Sequence, residues 1–109
     1  MKLPSAQNAV VDRLKIVNYL LDPEHVYGGS KARLLLSLGY SSENWQQLEA
    51  DLRTLASGDV VASEETLWGM RYEIVAPLNT PSGRSIVFRS IWQIDIGTTA
   101  PRLITMYPE

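Results

Sequence analysis

Leu48-Glu49-Ala50-Asp51-Leu52-Arg53-Thr54-Leu55-Ala56-Ser57-Gly58-Asp59-Val60-Val61-Ala62 is where the hydrophobic rhythm of this chain changes. Up to Leu55 the apolar residues recur every three or four positions, the period of one helix face. Beyond Gly58 they tend to alternate, the period of a strand. Trp45 extends the helical stripe backward through Leu48, Leu52 and Leu55, and Gly58 ends it. A short strand is expected near Asp59–Ala62. The change divides the chain into a helical half, about 8–57, and a sheet half, about 58–108. The predicted fold is a single α+β domain, with three N-terminal helices packed on a C-terminal antiparallel sheet of about four strands.

Working back from that boundary, Ser42 is expected to open the third helix, with Glu43 near its positive dipole end. Before it, Ser30 reads as the N-cap of a short helix, Lys31 to Leu38, which Gly39 stops as a left-handed residue. A first helix is expected over about residues 8–21. Val10, Leu14, Val17 and Leu21 would form its apolar stripe, and Pro23 would end it.

Working forward, a turn is expected around Trp68-Gly69. After it, Tyr72, Ile74, Ala76 and Leu78 alternate with Arg71, Glu73 and Val75. Asn79-Thr80-Pro81-Ser82-Gly83 is a hairpin-loop signal. In the next strand Ile86, Phe88, Trp92, Ile94 and Ile96 share one face, while Ser85, Arg89, Gln93 and Asp95 share the other with Val87 and Ile91. A last strand, about Arg102–Tyr107, stops at Pro108. Hairpin-length connections make the sheet antiparallel.

A chain of 109 residues with 45% hydrophobic content can bury an ordinary core as one domain. It has no cysteine, which excludes disulfides, thiolate metal sites and cysteine nucleophiles. Its single histidine rules out two-histidine metal motifs, and no cofactor fingerprint is present, so neither metal nor cofactor is expected. The opening Met-Lys-Leu-Pro-Ser has no long apolar run. Neither a secretory signal nor a membrane span is expected, and the cytoplasm is the expected address. The net charge of −2 gives no general attraction for nucleic acid. However, the basic residues of the second half are all arginines, Arg71, Arg84, Arg89 and Arg102. Their forks either recognise phosphate or carboxylate, or sit solvated beside acidic neighbours.

Two groups of residues have the chemistry for a site. The first is Pro23-Glu24-His25-Val26-Tyr27-Gly28-Gly29-Ser30-Lys31-Ala32-Arg33, which sets a proton-transfer group and two cations beside a helix start. There His25 could move protons, and Lys31 and Arg33 could hold a phosphate. The alternative is that Gly-Gly makes a turn and His25 packs or is solvated. The second group is Arg89 with Gln93, and Thr105 with Tyr107, each pair on one strand face. Whether the pairs meet depends on register.

The string Tyr19-Leu20-Leu21-Asp22-Pro23-Glu24-His25, then Gly28-Gly29-Ser30-Lys31-Ala32-Arg33, Ser37-Leu38-Gly39-Tyr40, Trp45, Arg89-x-x-Trp92 and Pro101-Arg102-Leu103-x-Thr105-x-Tyr107-Pro108 resembles an uncharacterised bacterial domain family. The resemblance covers about residues 14–108. It implies small stand-alone proteins, or domains at the C-termini of larger toxin-like and phage-like proteins. The order of helices then sheet is similar to the barnase–EndoU–colicin–RelE class of ribonuclease toxins. This chain lacks the second histidine and the glutamate pair of the best-known enzymes of that class. Some ribonucleases of the class use arginine, lysine and tyrosine instead.

The resemblance and the arginines together suggest a metal-independent ribonuclease of a toxin–antitoxin or conflict system, with RNA as substrate and a small cognate antitoxin or immunity protein as partner. In that reading His25 transfers protons, Lys31 and Arg89 meet the phosphate, and Arg33, Gln93, Thr105 and Tyr107 support the substrate. The mild acidity fits a second reading, a non-catalytic binding module such as an immunity or assembly protein.

Overall fold

Asp12 opens the first helix in the computed structural model, which describes residues 1–109. Its carboxylate accepts from the Leu14 N–H at 2.8 Å. This helix, α1, is α-helical over Arg13–Lys15 and widens into a π-helical turn over Ile16–Leu20, where the Leu21 N–H donates to the Ile16 carbonyl at 2.8 Å. The helix expected over residues 8–21 therefore starts late, and the expected stripe is wrong in its first half. Val10 and Leu14 are exposed, while Ile16, Leu20 and Leu21 enter the core. Val10 cannot join the helix because its backbone is paired elsewhere. Its N–H donates to Pro101 and its carbonyl accepts from Leu103. The extra residue of the π turn lets the adjacent Leu20 and Leu21 both turn inward.

Helix α2 spans Gly29–Ser37, and Gly28, not Ser30, is its N-cap; Ser30 is exposed within the first turn. Gly39 takes φ +101° as expected. The N–H groups of Gly39 and Tyr40 return to the carbonyls of Leu36 and Leu35, closing the C-terminus in a Schellman motif. A 3-10 turn, Ser42–Asn44, leads into α3, Trp45–Leu55. Its cap is Ser41, whose hydroxyl accepts from the Asn44 N–H, one residue earlier than the sequence suggested. Leu48, Leu52 and Leu55 are buried along α3, and Trp45 packs partly against the core.

Four strands follow, β1 (Val60–Thr66), β2 (Gly69–Asn79), β3 (Ser85–Asp95) and β4 (Arg102–Pro108). They pair antiparallel in chain order, so β1 and β4 are the edges. The chain is thus α+β, with three helices and a four-stranded antiparallel sheet. Tyr72, Ile74 and Leu78 of β2 and Phe88 and Trp92 of β3 face the helices and join the core with Leu35, Leu48 and Leu52. Ser90 sits on the same face, fully buried, and its hydroxyl accepts from the Trp92 indole N–H at 2.9 Å. Ile96 departs from expectation. It lies beyond the end of β3 and is exposed, because the chain turns at Gly97.

The other sheet face carries Arg71, Glu73, Arg89, Ile91 and Gln93, set opposite one another by the register Arg71↔Gln93 and Glu73↔Ile91. Residues 1–11 run between the two sheet edges. Lys2 bridges Asp59 ahead of β1, and Val10 bridges Arg102 on β4, with Leu3, Ala9 and Val11 buried on the way.

Candidate functional site

Three segments distant in sequence meet where α1 and α2 lie against β4. The π turn carries Tyr19, α2 carries Lys31 in its first turn, and β4 carries Thr105. The Lys31 ammonium donates to the Tyr19 hydroxyl at 2.8 Å and to Thr105 Oγ1 at 3.0 Å, and the two hydroxyls lie 3.2 Å apart. Lys15, one helical turn before Tyr19, donates to the Ile104 carbonyl at 2.8 Å. Both ammonium groups also face the Tyr19 ring, Lys15 at 5.6 Å and Lys31 at 5.1 Å from its centroid. All four side chains are half-buried, so they are fixed yet reachable from solvent.

The glycine pair explains how α2 comes so close. A Cβ on Gly28 would stand 2.5 Å from a Tyr19 ring carbon, and one on Gly29 would stand 2.7 Å from the Pro23 carbonyl. Neither glycine needs a left-handed backbone; close approach is what excludes a side chain at both. His25 braces the same turn. Its Nδ1 accepts from the N–H groups of Tyr27 and Gly28, both at 3.1 Å, and its ring stands edge-on to Tyr19 at 4.9 Å. That geometry fixes the tautomer: Nδ1 supplies a lone pair, so the ring proton of neutral His25 resides on Nε2.

Electrostatically the cluster is unbalanced. The ion pairs of the protein are Lys2–Asp59, Arg89–Glu73, Arg89–Glu109 and Arg102–Asp95, and neither Lys15 nor Lys31 has a carboxylate. Burial acts to raise the Tyr19 phenol, but the hydrogen bonds from Lys31 and Thr105 and the two ammonium charges prevail. They hold its pKa below the ordinary value. Two neighbouring cations, a phenol of increased acidity and a hydroxyl make a donor set whose chemistry suits an anionic oxygen group such as phosphate.

Of the residues singled out from sequence, Lys31 and Thr105 come together, and His25 reaches them through the Tyr19 ring. Arg33 does not point inward; it is exposed and donates to the Pro23 carbonyl at 3.2 Å. Arg89 stands on the sheet face turned away from Phe88 and Trp92, paired with Val75 and Tyr107. Glu73 and Glu109 hold it at 2.8 and 2.9 Å, and these bonds raise its already high pKa further. Gln93 is buried between Arg71 and Asp95, accepting from one at 3.1 Å and donating to the other at 2.6 Å. No hydrogen bond or ion pair joins Arg89, Gln93 or Tyr107 to the lysine cluster. Tyr19 and Lys15 are not among the site residues expected from sequence. Their i, i+4 spacing, which sets two polar side chains on one helix face, was the signal that could have found them.

No group of three histidine, aspartate or glutamate side chains is assembled anywhere in the fold. No helix is long and apolar enough to cross a membrane.

Comparison with known proteins bears on the whole chain. The model of a family described as a domain of unknown function, DUF6883, matches residues 2–109, and the chain belongs to that family. No curated protein matches. Among solved structures, the fold is similar to a chain of a contact-dependent growth inhibition toxin–immunity protein complex from Klebsiella pneumoniae 342. The TM-score is 0.76 at 19% identity, covering 95% of this chain and 96% of that one.

Proposed function

We propose that this chain is a metal-independent endoribonuclease, the toxic partner of a toxin–immunity pair, and that Tyr19, Lys31, Thr105 and Lys15 form its site. The observation that carries the reading is the pair of half-buried ammonium groups left without carboxylates beside a phenol of lowered pKa. Such a site attracts an anion, and a phosphodiester supplies one. The similarity in fold to a chain of a toxin–immunity complex supports the biological setting.

The chemistry follows from proton bookkeeping. With one proton lost from the Tyr19–Lys31 pair, the Tyr19 oxygen takes the proton of the RNA 2′-hydroxyl. The 2′-oxygen then bonds to phosphorus. The bond from phosphorus to the 5′-oxygen breaks, and that oxygen takes a proton from Lys31. Transfer back across the 2.8 Å Tyr19–Lys31 hydrogen bond resets the pair. Lys15 and Thr105 face the charge that builds on the phosphorane. His25 serves as a brace for the turn and Arg89 takes no part.

Expression in a bacterial host, with cleavage assayed on purified protein, is the test. Growth arrest and RNA cut to 2′,3′-cyclic phosphate ends, both lost in Lys31→Met and Tyr19→Phe variants that remain folded, are the expected result. Harmless expression of intact protein that leaves RNA uncut would overturn it.

A second reading, a non-catalytic partner-binding module, is favoured by a different region. Leu67, Trp68 and Ile96 are all strongly exposed at one end of the sheet, and the Ile96 N–H donates to the Trp68 carbonyl at 2.9 Å, which holds them together. A protein partner seated there is compatible with either role. Loss of binding to a purified cognate protein in Trp68→Ala, with Lys31→Met unaffected, would separate the two surfaces.

A further inference from the structure

We infer that Tyr27 is a stacking platform for an unpaired base of the strand whose phosphate lies on Lys15 and Lys31, which makes single-stranded RNA the substrate class; this rests on the ribonuclease reading above. Tyr27 is 87% exposed and its neighbour Val26 is 88% exposed, so the ring is supported by none of the core. Its backbone is nevertheless pinned. The Tyr27 and Gly28 N–H groups both donate to His25 Nδ1, and the Gly29 N–H donates to the His25 carbonyl at 3.0 Å. An exposed aromatic on a fixed turn loses little freedom when a flat ligand covers it.

Three rings lead from the cluster to this position. Tyr19, on Lys31, stands 4.9 Å from His25, which stands 6.2 Å from Tyr27. The cations thus hold one end of the array and a free aromatic face the other, the combination by which single strands are bound: backbone charge on lysine, base on aromatic ring. A duplex keeps its bases stacked on one another and presents no base face to such a ring except at its ends. Because every base has a π-face, the platform selects strandedness rather than sequence.

Binding of a 2′-O-methyl RNA strand, which cannot be cleaved, tests this without turnover. The strand alone and the same strand in a duplex are titrated by fluorescence anisotropy against the intact protein, Tyr27→Ala and Tyr27→Trp. Tyr27→Ala is expected to weaken single-strand binding about tenfold, Tyr27→Trp to retain it, and duplex binding to be weak and unchanged by either. In cleavage of unmodified strands the loss falls on KM more than on kcat. If Tyr27→Ala binds the strand as tightly as the intact protein while Lys31-dependent cleavage persists, the platform is refuted and the ribonuclease reading stands. If the intact protein neither binds nor cleaves RNA, both are overturned.

Discussion

Replacing Gly28 by alanine should injure the site more than the fold, and the coordinates set the size of the effect. The new methyl would lie 2.5 and 2.7 Å from two ring carbons of Tyr19 and 3.3 Å from its carbonyl oxygen. Carbon atoms rest about 3.5–4.0 Å apart, so the ring must retreat by roughly 1 Å or the turn must open by as much. Overpacking of this kind costs about 1–3 kcal/mol, and each kcal/mol lowers Tm by roughly 4–8 °C in a domain near this size. A retreat of that size away from Lys31 stretches the 2.8 Å bond of the Tyr19 hydroxyl to roughly 3.8 Å, past hydrogen-bond reach. A misplacement on that scale costs about 100-fold in rate. Gly83→Ala is the matched control. Gly83 has φ +89° and nothing within 4 Å of an added Cβ, so alanine there costs about 1–2 kcal/mol through backbone strain alone and touches no site residue. Thermal unfolding and single-turnover RNA cleavage, measured on both variants, should show two destabilised proteins of which only Gly28→Ala has lost cleavage. Equal cleavage by the two would refute the idea that the glycine sets the position of the ring.

Two pH responses follow. With Tyr19 as the base, cleavage should rise with pH and level off below the pKa of a free phenol, because burial, which raises it, is outweighed by the hydrogen bonds from Lys31 and Thr105 together with the charges of Lys31 and Lys15; a pH–rate profile that is flat through the alkaline range would rule the role out. Asp59, Asp95 and Glu109 are each held below their ordinary pKa chiefly by hydrogen bonds from Lys2, Arg102 and Arg89 respectively. Their contribution to stability is complete above the pKa of the unpaired carboxylate and is lost as pH falls through the lower folded value. Urea midpoints should therefore drop on acidification below the usual carboxylate range, and Arg89→Met should lessen that drop.

How much of this was legible in the sequence depends on whether local pattern or distant contact decides each feature. The stripe Leu48, Leu52, Leu55 and the alternation Tyr72, Ile74, Leu78 are buried as their periods imply, because each lies inside an element long enough for the pattern to repeat. Gly39 stops α2 as expected, since a left-handed residue after a helix is a local requirement. Val10 was misplaced for the opposite reason. Its helical spacing was real, but pairing with a strand far along the chain claimed its backbone. Ser30 lies two residues inside the cap used, because Gly28 is fixed by contact with Tyr19 and not by capping preference, while Ser42 lies one residue inside Ser41, an equally good capping serine.

The site divides along the same line. Lys31 stood out as a cation at a helix start, and Thr105 as a polar residue near the chain end. Their meeting needed the register Ile91↔Thr105 and the shift beside it, neither of which is written in composition. The sequence offers Arg89 as a phosphate ligand beside Lys31, and gives no sign of the partners that Arg89 has in the fold. Glu73 lies sixteen residues before it and Glu109 twenty after, and only the folded sheet brings both carboxylates to one guanidinium.

The path of residues 1–11 has a kinetic consequence. Because this segment adds backbone bonds at Asp59 and Val60 on one side and at Pro101 to Leu103 on the other, it cannot settle until the last strand exists. Residues 1–11 are thereby among the last of these 109 residues to find their places. Such far-reaching closure slows folding, and until it happens the Val60 N–H, the Pro101 carbonyl and the Leu103 N–H stay open to any neighbouring chain. A nascent molecule held at that stage is the one most prone to stick to its siblings.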